Sequence, residues 1–448
     1  MADLLSHVAL QAGRYLRGLD GRPVAPSQQA LDDLEALDEP LAEPPTAPEA
    51  VFDLLDRIGS PATVASAGGR FFGFVHGGCL PAALAANWLA GAWDQNAVLF
   101  ATSPIASRLE EVTQRWLVEL LDMPRDCGAA FVSGDTMANF TCLAAARTAM
   151  LERLGWDVES DGLFGAPPLT VVIGEETHPS VTKALGLLGL GRRRVVRVPV
   201  DNQGRMRAEA FPALGEAAIV CVQAGNVNTG SVDPVGRICE MAHATGAWVH
   251  VDAAFGLWAK ASPSLAPLVA GVEQADSWAT DAHKWLNVPY DSGLAFVRDS
   301  QFLGRAMTLT AAYIPKGARR DPGQFTPELS RRARGVEIWA ALCSLGKRGL
   351  AETIDGTCAH ARRFASGLRS AGCEILNDVV LNQVLVSFGD AETTLRVIDR
   401  IQREGTCWCG PTTWQGRTAM RISVSSWATT REDVERSLEA MIRAWRGR

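Results

Sequence analysis

Tyrosine is scarce in this chain, with three residues at positions 15, 290 and 313 among 448. Long hydrophobic runs are missing as well: stretches such as residues 80–89 carry Asn87 and Trp88 and are too short to span a bilayer. No basic tract stands out from the net charge of -7, which excludes a nucleic-acid groove or an anionic membrane as the main partner and leaves a small-molecule substrate. The start lacks the charged, apolar and small-residue succession of a secretory signal, and the ten cysteines show no disulfide framework. Reduced thiols and a cytoplasmic location are expected. Cys407 and Cys409 form a C-x-C pair with no second Cys/His pair nearby, so no metal is expected.

What is present is a large reserve of core, 47% hydrophobic and 21% charged residues, enough for more than one structural unit. Residues 1–60 combine helical periodicity (Leu4, Leu5, Val8, Ala9) with a proline-rich stretch at Pro40, Pro44, Pro45 and Pro48, an arm expected to pack on a larger body or a partner subunit. From about 100 to 310, short β-branched runs alternate with helical stretches. Ala130–Val132, Leu169–Ile173, Arg194–Val198, Ala218–Val222, Ala247–Val251 and Gly293–Val297 read as strands. Such alternation predicts an α/β fold with a mostly parallel sheet, whose ligands bind at the carboxyl ends of the strands. Beyond the loop 315–334, a helical run over 336–370 leads to a smaller α/β segment and a final amphipathic helix from Arg431.

Four polar segments fall at those strand ends. In Asp281-Ala282-His283-Lys284-Trp285 titratable groups are enclosed by apolar ones, and burial is expected to lower the lysine's pKa and free its amine to attack a carbonyl. The same lysine would also suit a snorkelling role at a buried turn. In His250-Val251-Asp252-Ala253-Ala254 an apolar strand delivers a carboxylate that can pair with a pyridine nitrogen, or cap the next turn. Ser133-Gly134-Asp135-Thr136 turns from a strand into a helix start, where free N–H groups suit a phosphate or simply an N-cap. His178, in Thr177-His178-Pro179, could stack on a flat cofactor or serve only the structure.

In this order, the four segments resemble the group II pyridoxal-phosphate decarboxylases, which include aromatic-amino-acid, glutamate and histidine decarboxylases. The resemblance covers roughly residues 70 to 350. It implies the aspartate-aminotransferase fold (fold type I), with a mostly parallel seven-stranded sheet in a large domain over 61–320. It also implies a small C-terminal α/β domain with its mobile loop over 321–448, and a homodimer embraced by the 1–60 arms. By the same likeness pyridoxal 5'-phosphate is the cofactor, Lys284 its Schiff-base lysine, Asp252 the pyridinium partner, and Ala254 and His178 the groups on the two ring faces. Gly134, Asp135 and Thr136 would cradle the phosphate, supplemented by Asp281 or His283, with Asn226 where the family has a threonine. Lys284, His178 and Asp252 would be catalytic. Residues 70–76 are similar to the family's substrate-pocket strand, and 100–104 to a second wall supplied across the dimer.

Decarboxylation of an L-amino acid to its amine is the reaction implied. The loop 315–334 nevertheless contains Phe325 and no tyrosine, whereas the family's loop tyrosine returns a proton to the carbanion, and its loss in relatives accompanies aldehyde formation with oxygen. Aldehyde-forming oxidation, Cα–Cβ lyase chemistry, transamination and a non-catalytic cofactor-binding role are therefore the alternatives. Phe71, Phe72, Phe74 and Phe100 suggest an apolar or aromatic substrate. His76, Arg331, Arg332 and Arg334 leave an acidic one open.

Overall fold

A computed structural model describes residues 1–308 and 319–447 of the chain. Tyr313 and residues 315–318 of the expected loop lie outside the described residues.

Seven strands form the large sheet: β1 Gly128–Val132, β2 Thr170–Gly174, β3 Val195–Val198, β4 Ala218–Gln223, β5 Trp248–Asp252, β6 Ser277–Asp281 and β7 Gly293–Val297. Their order is β1-β7-β6-β5-β4-β2-β3, and only β7 runs antiparallel to its neighbours. The alternation of side chains explains the two-sided burial. Ala130 and Val132 of β1 join Val171, Ile173, Ile219 and Cys221 in one apolar layer under the helix Asp135–Arg153. Phe131, Val172, Val220 and Val222 face the opposite layer, with Trp258, Trp278 and Trp285. Full burial of each such aromatic contributes a stabilisation of about 1.5–3 kcal/mol. Strand β6, which carries the lysine motif, shows its polar ends more than its β character in the sequence.

The second sheet contains β8 Glu374–Ile375, β9 Gln383–Ser387, β10 Gly410–Trp414 and β11 Arg417–Ser423, antiparallel throughout in the order β10-β11-β9-β8. The helices Ala391–Glu404 and Arg431–Arg446 pack on it through Ile398, Ile401, Leu438 and Met441. A long helix, Gly335–Ala371, connects the two sheets and is interrupted at Gly346, where φ is 60°. Among the described residues no helix is long and apolar enough to cross a membrane.

Residues 70–80, expected within the large domain, form a bridge between both bodies. The Phe72 N–H donates to Trp408 O at 2.8 Å in the small domain, and the Leu80 N–H donates to Asn287 O at 2.8 Å just beyond the lysine motif. The arm is tied to the small domain as well, with the Val24 N–H donating to Gly405 O at 2.8 Å.

Candidate active site

The carboxyl ends of β1, β2, β5 and β6 meet in one pocket because parallel strands deliver their following loops to the same edge. Lys284 follows β6, and its Nζ lies 2.9 Å from Asp281 Oδ2. Asp281 Oδ1 accepts the backbone N–H of Asp135 at 2.6 Å, which ties the lysine's counter-ion to the start of the helix Asp135–Arg153. His283 donates its Nδ1–H to Ser292 O at 2.8 Å and turns Nε2 toward Asp281 Oδ1 at 3.6 Å. Gly134 lies in the same turn, where an added Cβ would stand 3.4 Å from the His283 ring.

Among the described residues, Asp135, His178 and Asp252 each place a ligand atom within 4.8 Å of the other two. Ser180 joins them: its hydroxyl donates to Asp252 Oδ2 at 3.3 Å, and its N–H donates to His178 Nδ1 at 3.2 Å. Beneath lies Asn139, whose amide donates to Asp135 Oδ2 at 2.8 Å and to Ser180 Oγ at 3.2 Å while its oxygen accepts from His250 Nε2 at 2.7 Å. Ser277 then donates to His250 Nδ1 at 2.9 Å and accepts the Trp248 indole N–H at 2.9 Å. These supporting groups were not foreseen from the sequence, although one signal was available. His250 and Asp252 are two positions apart on β5 and so share a face.

Burial alone would push the Lys284 ammonium down, as expected from its apolar setting. Asp281, Asp135 and Asp252 outweigh that effect and hold its pKa raised. The expectation of a lowered lysine pKa is corrected on this ground: three carboxylates accompany the amine into the interior. Burial depresses His178 and His283, leaving both rings neutral near pH 7. Asp135 is pushed the other way, first by burial and then by Asp252 and Asp281.

Ala254 borders the pocket and accepts the Asp281 N–H at 2.8 Å through its carbonyl. Thr136 is half-buried in the first turn of its helix. Asn226 is engaged elsewhere: its Oδ1 accepts the N–H of Asn228 at 2.8 Å and of Thr229 at 3.2 Å, and its Nδ2 donates to Glu176 Oε2 at 3.2 Å. The three arginines that left an acidic substrate open are paired internally, Arg331 with Glu110, Arg332 with Glu337 and Arg334 with Asp291. Of the phenylalanines, Phe72 belongs to the small-domain core against Phe364.

A run of aromatic contacts leads from the lysine motif toward the small domain, with ring centroids 4.8 Å apart for His76 and Tyr290 and 5.4 Å apart for Phe71 and His76. Phe71 and Phe74 both stack on Trp408, with centroids at 5.1 and 5.5 Å, and Tyr290 lies over His283 at 4.2 Å. The Gly77 backbone approaches so closely that a Cβ there would fall 1.7 Å from the Lys284 carbonyl oxygen. Tyr290 and Trp408 were not singled out as pocket residues in the sequence.

The donor set suits a phosphorylated carbonyl cofactor: an enclosed amine, a buried carboxylate at a strand end, an imidazole at a helix start, and free hydroxyls. Thr177 Oγ1 and Ser292 Oγ, next to His178 and beside His283, are buried without a partner among the described residues. A solved structure, that of Oryza sativa TDC with PLP and tryptamine, superimposes with a TM-score of 0.92 at 23% identity over 100% of this chain and 97% of that one. The fold is therefore that of the fold type I pyridoxal-phosphate enzymes. A family model, the pyridoxal-dependent decarboxylase conserved domain, matches residues 34–389. The chain belongs to this family, whose members are carboxy-lyases with pyridoxal phosphate as cofactor. It is 29% identical to the aromatic-L-amino-acid decarboxylase of Bacillus atrophaeus over 299 residues, covering 64% of this chain and 60% of that protein. It is likewise 29% identical to tryptophan decarboxylase 1 of Oryza sativa subsp. japonica over 459 residues, covering 92% of this chain and 87% of that protein.

Proposed function

We propose that the protein removes the carboxylate of an L-amino acid with an aromatic side chain and works as a cytoplasmic homodimer. The observation that carries this reading is the aromatic run Tyr290, His76, Phe71 and Trp408, which begins over His283 next to Lys284. Offset or edge contacts with such rings stabilise a bound aromatic group by about 0.5–1.5 kcal/mol per pair beyond area burial. The internal pairing of Arg331, Arg332 and Arg334 removes three cations that an acidic side chain would need. The two curated relatives described above, among others, carry an aromatic amino acid in their names.

In this reading Lys284 holds the cofactor through its amine, Asp252 faces the ring nitrogen, and Ala254 and His178 flank the ring. Gly134 and Thr136 offer backbone N–H groups at a helix start to the phosphate, near His283, while the Asp135 N–H between them is held by Asp281 Oδ1. When bound, the cofactor supplies an electron-accepting ring that stabilises the charge left as carbon dioxide departs. His178, neutral through burial, can accept or return a proton beside that ring.

Exposed apolar side chains on the arm and the helices after it, Leu5, Leu10, Trp88 and Leu89 among them, support a second copy as the partner. The cysteines are all free, which supports a reducing compartment.

The test is to incubate the cofactor-loaded protein with single L-amino acids while recording amine, aldehyde and oxygen consumption, with light scattering for mass. Tryptamine, tyramine or phenethylamine without oxygen uptake supports the reading. Aldehyde with peroxide would assign it to oxidation, and release only from acidic or aliphatic substrates would overturn the aromatic assignment.

A further inference from the structure

The pocket holds more acid than its cations can balance. Asp135, Asp252 and Asp281 are 6%, 5% and 2% exposed, and the single ammonium among them, Lys284, is paired at 2.9 Å with Asp281. Arg421, behind His178, spends its Nη1 on Val227 O at 3.0 Å. His178 and His283 are kept neutral by burial. Two unpaired carboxylates this close in a low-dielectric site cannot both keep their charge, and one retains a proton.

The hydrogen bonds indicate which. Asp281 has its ammonium and the Asp135 N–H. Asp252 accepts from Ser180 Oγ and the Ala254 N–H, each at 3.3 Å. Asp135 accepts one bond, from Asn139 at 2.8 Å on Oδ2, and its Oδ1 is buried with no partner among the described residues. An ionised carboxylate would leave buried charge on that oxygen uncompensated, whereas protonation removes the charge.

We propose that Asp135 is a neutral carboxylic acid in the working enzyme, so that only one of the two neighbouring carboxyls, Asp252, meets the cofactor ring as an anion. This rests on the assignment of Asp252 to the ring nitrogen. A neutral Asp135 adds no second negative charge beside Asp252, so it acts as a positioning and tuning residue through its neighbour. Ionising Asp135 would add a further negative charge beside Asp252, Asp281 and a bound phosphate, opposed only by Lys284. His178, His283 and His250 face the cluster from the neighbouring elements as neutral rings.

The pair is tested by infrared spectroscopy together with cofactor binding. The neutral isostere Asp135→Asn keeps an acceptor for Asn139 and offers an N–H where the acid's proton stands. Wild type at neutral pH should show the carbonyl stretch of a protonated carboxyl, and Asp135→Asn should lack it. Titrating that band in wild type needs no variant and so survives a misfolded one. With pyridoxal phosphate as the probe, the wild-type Kd should rise at least tenfold more than that of Asp135→Asn across the pH interval in which the band disappears. No protonated-carboxyl band, or superimposable Kd profiles, would overturn the proposal. If Asp252→Asn leaves the cofactor's Kd and visible band unchanged while the infrared band still depends on Asp135, the assignment of Asp252 to the ring fails and the neutral Asp135 stands.

Discussion

The Tyr290 hydroxyl lies 3.2 Å from His76 Nδ1, across 214 positions of sequence. Burial, with His283 alongside, pushes the His76 imidazole down to about 4, and burial pushes the Tyr290 phenol up to about 12. Near pH 7 the imidazole is therefore neutral and the phenol protonated, and with the ring in its Nε2–H tautomer the hydroxyl donates to Nδ1. This arrangement leaves the phenol's lone pairs free to accept from a substrate.

Tyr290→Phe keeps the ring over His283 and removes only the hydroxyl. Loss of one neutral hydrogen bond should raise KM for the best aromatic substrate about three- to tenfold with kcat nearly unchanged. Steady-state kinetics on both parameters decide it: a variant with wild-type KM would show that the hydroxyl does not meet the substrate.

Trp408 carries two rings, Phe71 at 19° and Phe74 at 29° between planes. Trp408→Ala should lower kcat/KM for aromatic amino acids by roughly tenfold or more, equivalent to about 1.4 kcal/mol, and affect small aliphatic ones less. Competition between one aromatic and one aliphatic substrate measures this selectivity directly. Equal losses for both would point to a collapsed pocket.

Lys284 is the amine on which the cofactor assignment depends. Lys284→Ala should lose turnover by at least about a thousandfold and lose the visible band of lysine-bound cofactor. Borohydride reduction of wild type, followed by peptide mass analysis, should place the added pyridoxyl mass on Lys284. A mark on another lysine would displace the assignment.

Much of this was legible in the sequence because the signals were local. The β-branched runs became β1 to β5 and β7 within a few residues of their expected limits, and Lys284, Asp252, His178 and Asp135 come together because parallel strands end at one edge. Contacts of high sequence separation were not legible. Trp408 joins the aromatic run from the lysine motif through the pairing of Phe71 and Phe72 with the small domain, and nothing in Thr-Cys-Trp-Cys-Gly announces that neighbour. Arg331 left a carboxylate anchor open because composition does not reveal Glu110, which lies 221 positions away. The lysine's raised pKa was missed for a related reason: burial was inferred from neighbours in the chain, and the compensating Asp135 and Asp252 are neighbours only in space.

Glu110 and Arg331 form an ion pair at 2.6 Å with side-chain exposures of 1% and 0%. Arg331 also donates to Ala97 O at 2.9 Å and Phe131 O at 2.6 Å, which pins the loop to the end of β1. Glu110→Ala leaves a buried guanidinium without its counter-charge and should cost about 3–5 kcal/mol, measured by urea unfolding in the presence of cofactor. Replacing both partners with apolar residues should recover a large part of that loss. A single variant as stable as wild type would show that water reaches the pair.

His250 is wholly enclosed between Asn139 and Ser277, and burial pushes its pKa down to about 3 from an ordinary 6.5. Between these two values the unfolded chain binds the proton that the folded one refuses, so stability rises with pH across this window. The contribution is complete above about pH 6.5 and is lost as pH falls, at about 1.4 kcal/mol per unit, or roughly 2 kcal/mol by pH 5. His250→Gln removes the titrating group and keeps polar atoms for the network. The variant should be less stable than wild type at pH 7.5, because Asn139 Oδ1 and Ser277 lose well-aligned partners, and the gap should narrow by about 2 kcal/mol at pH 5. Urea unfolding at fixed protein and cofactor concentration measures both values. His76, His178 and His283 titrate in both proteins and cancel in the difference, so a gap that stays constant from pH 7.5 to 5 would mean that His250 is not held neutral by burial.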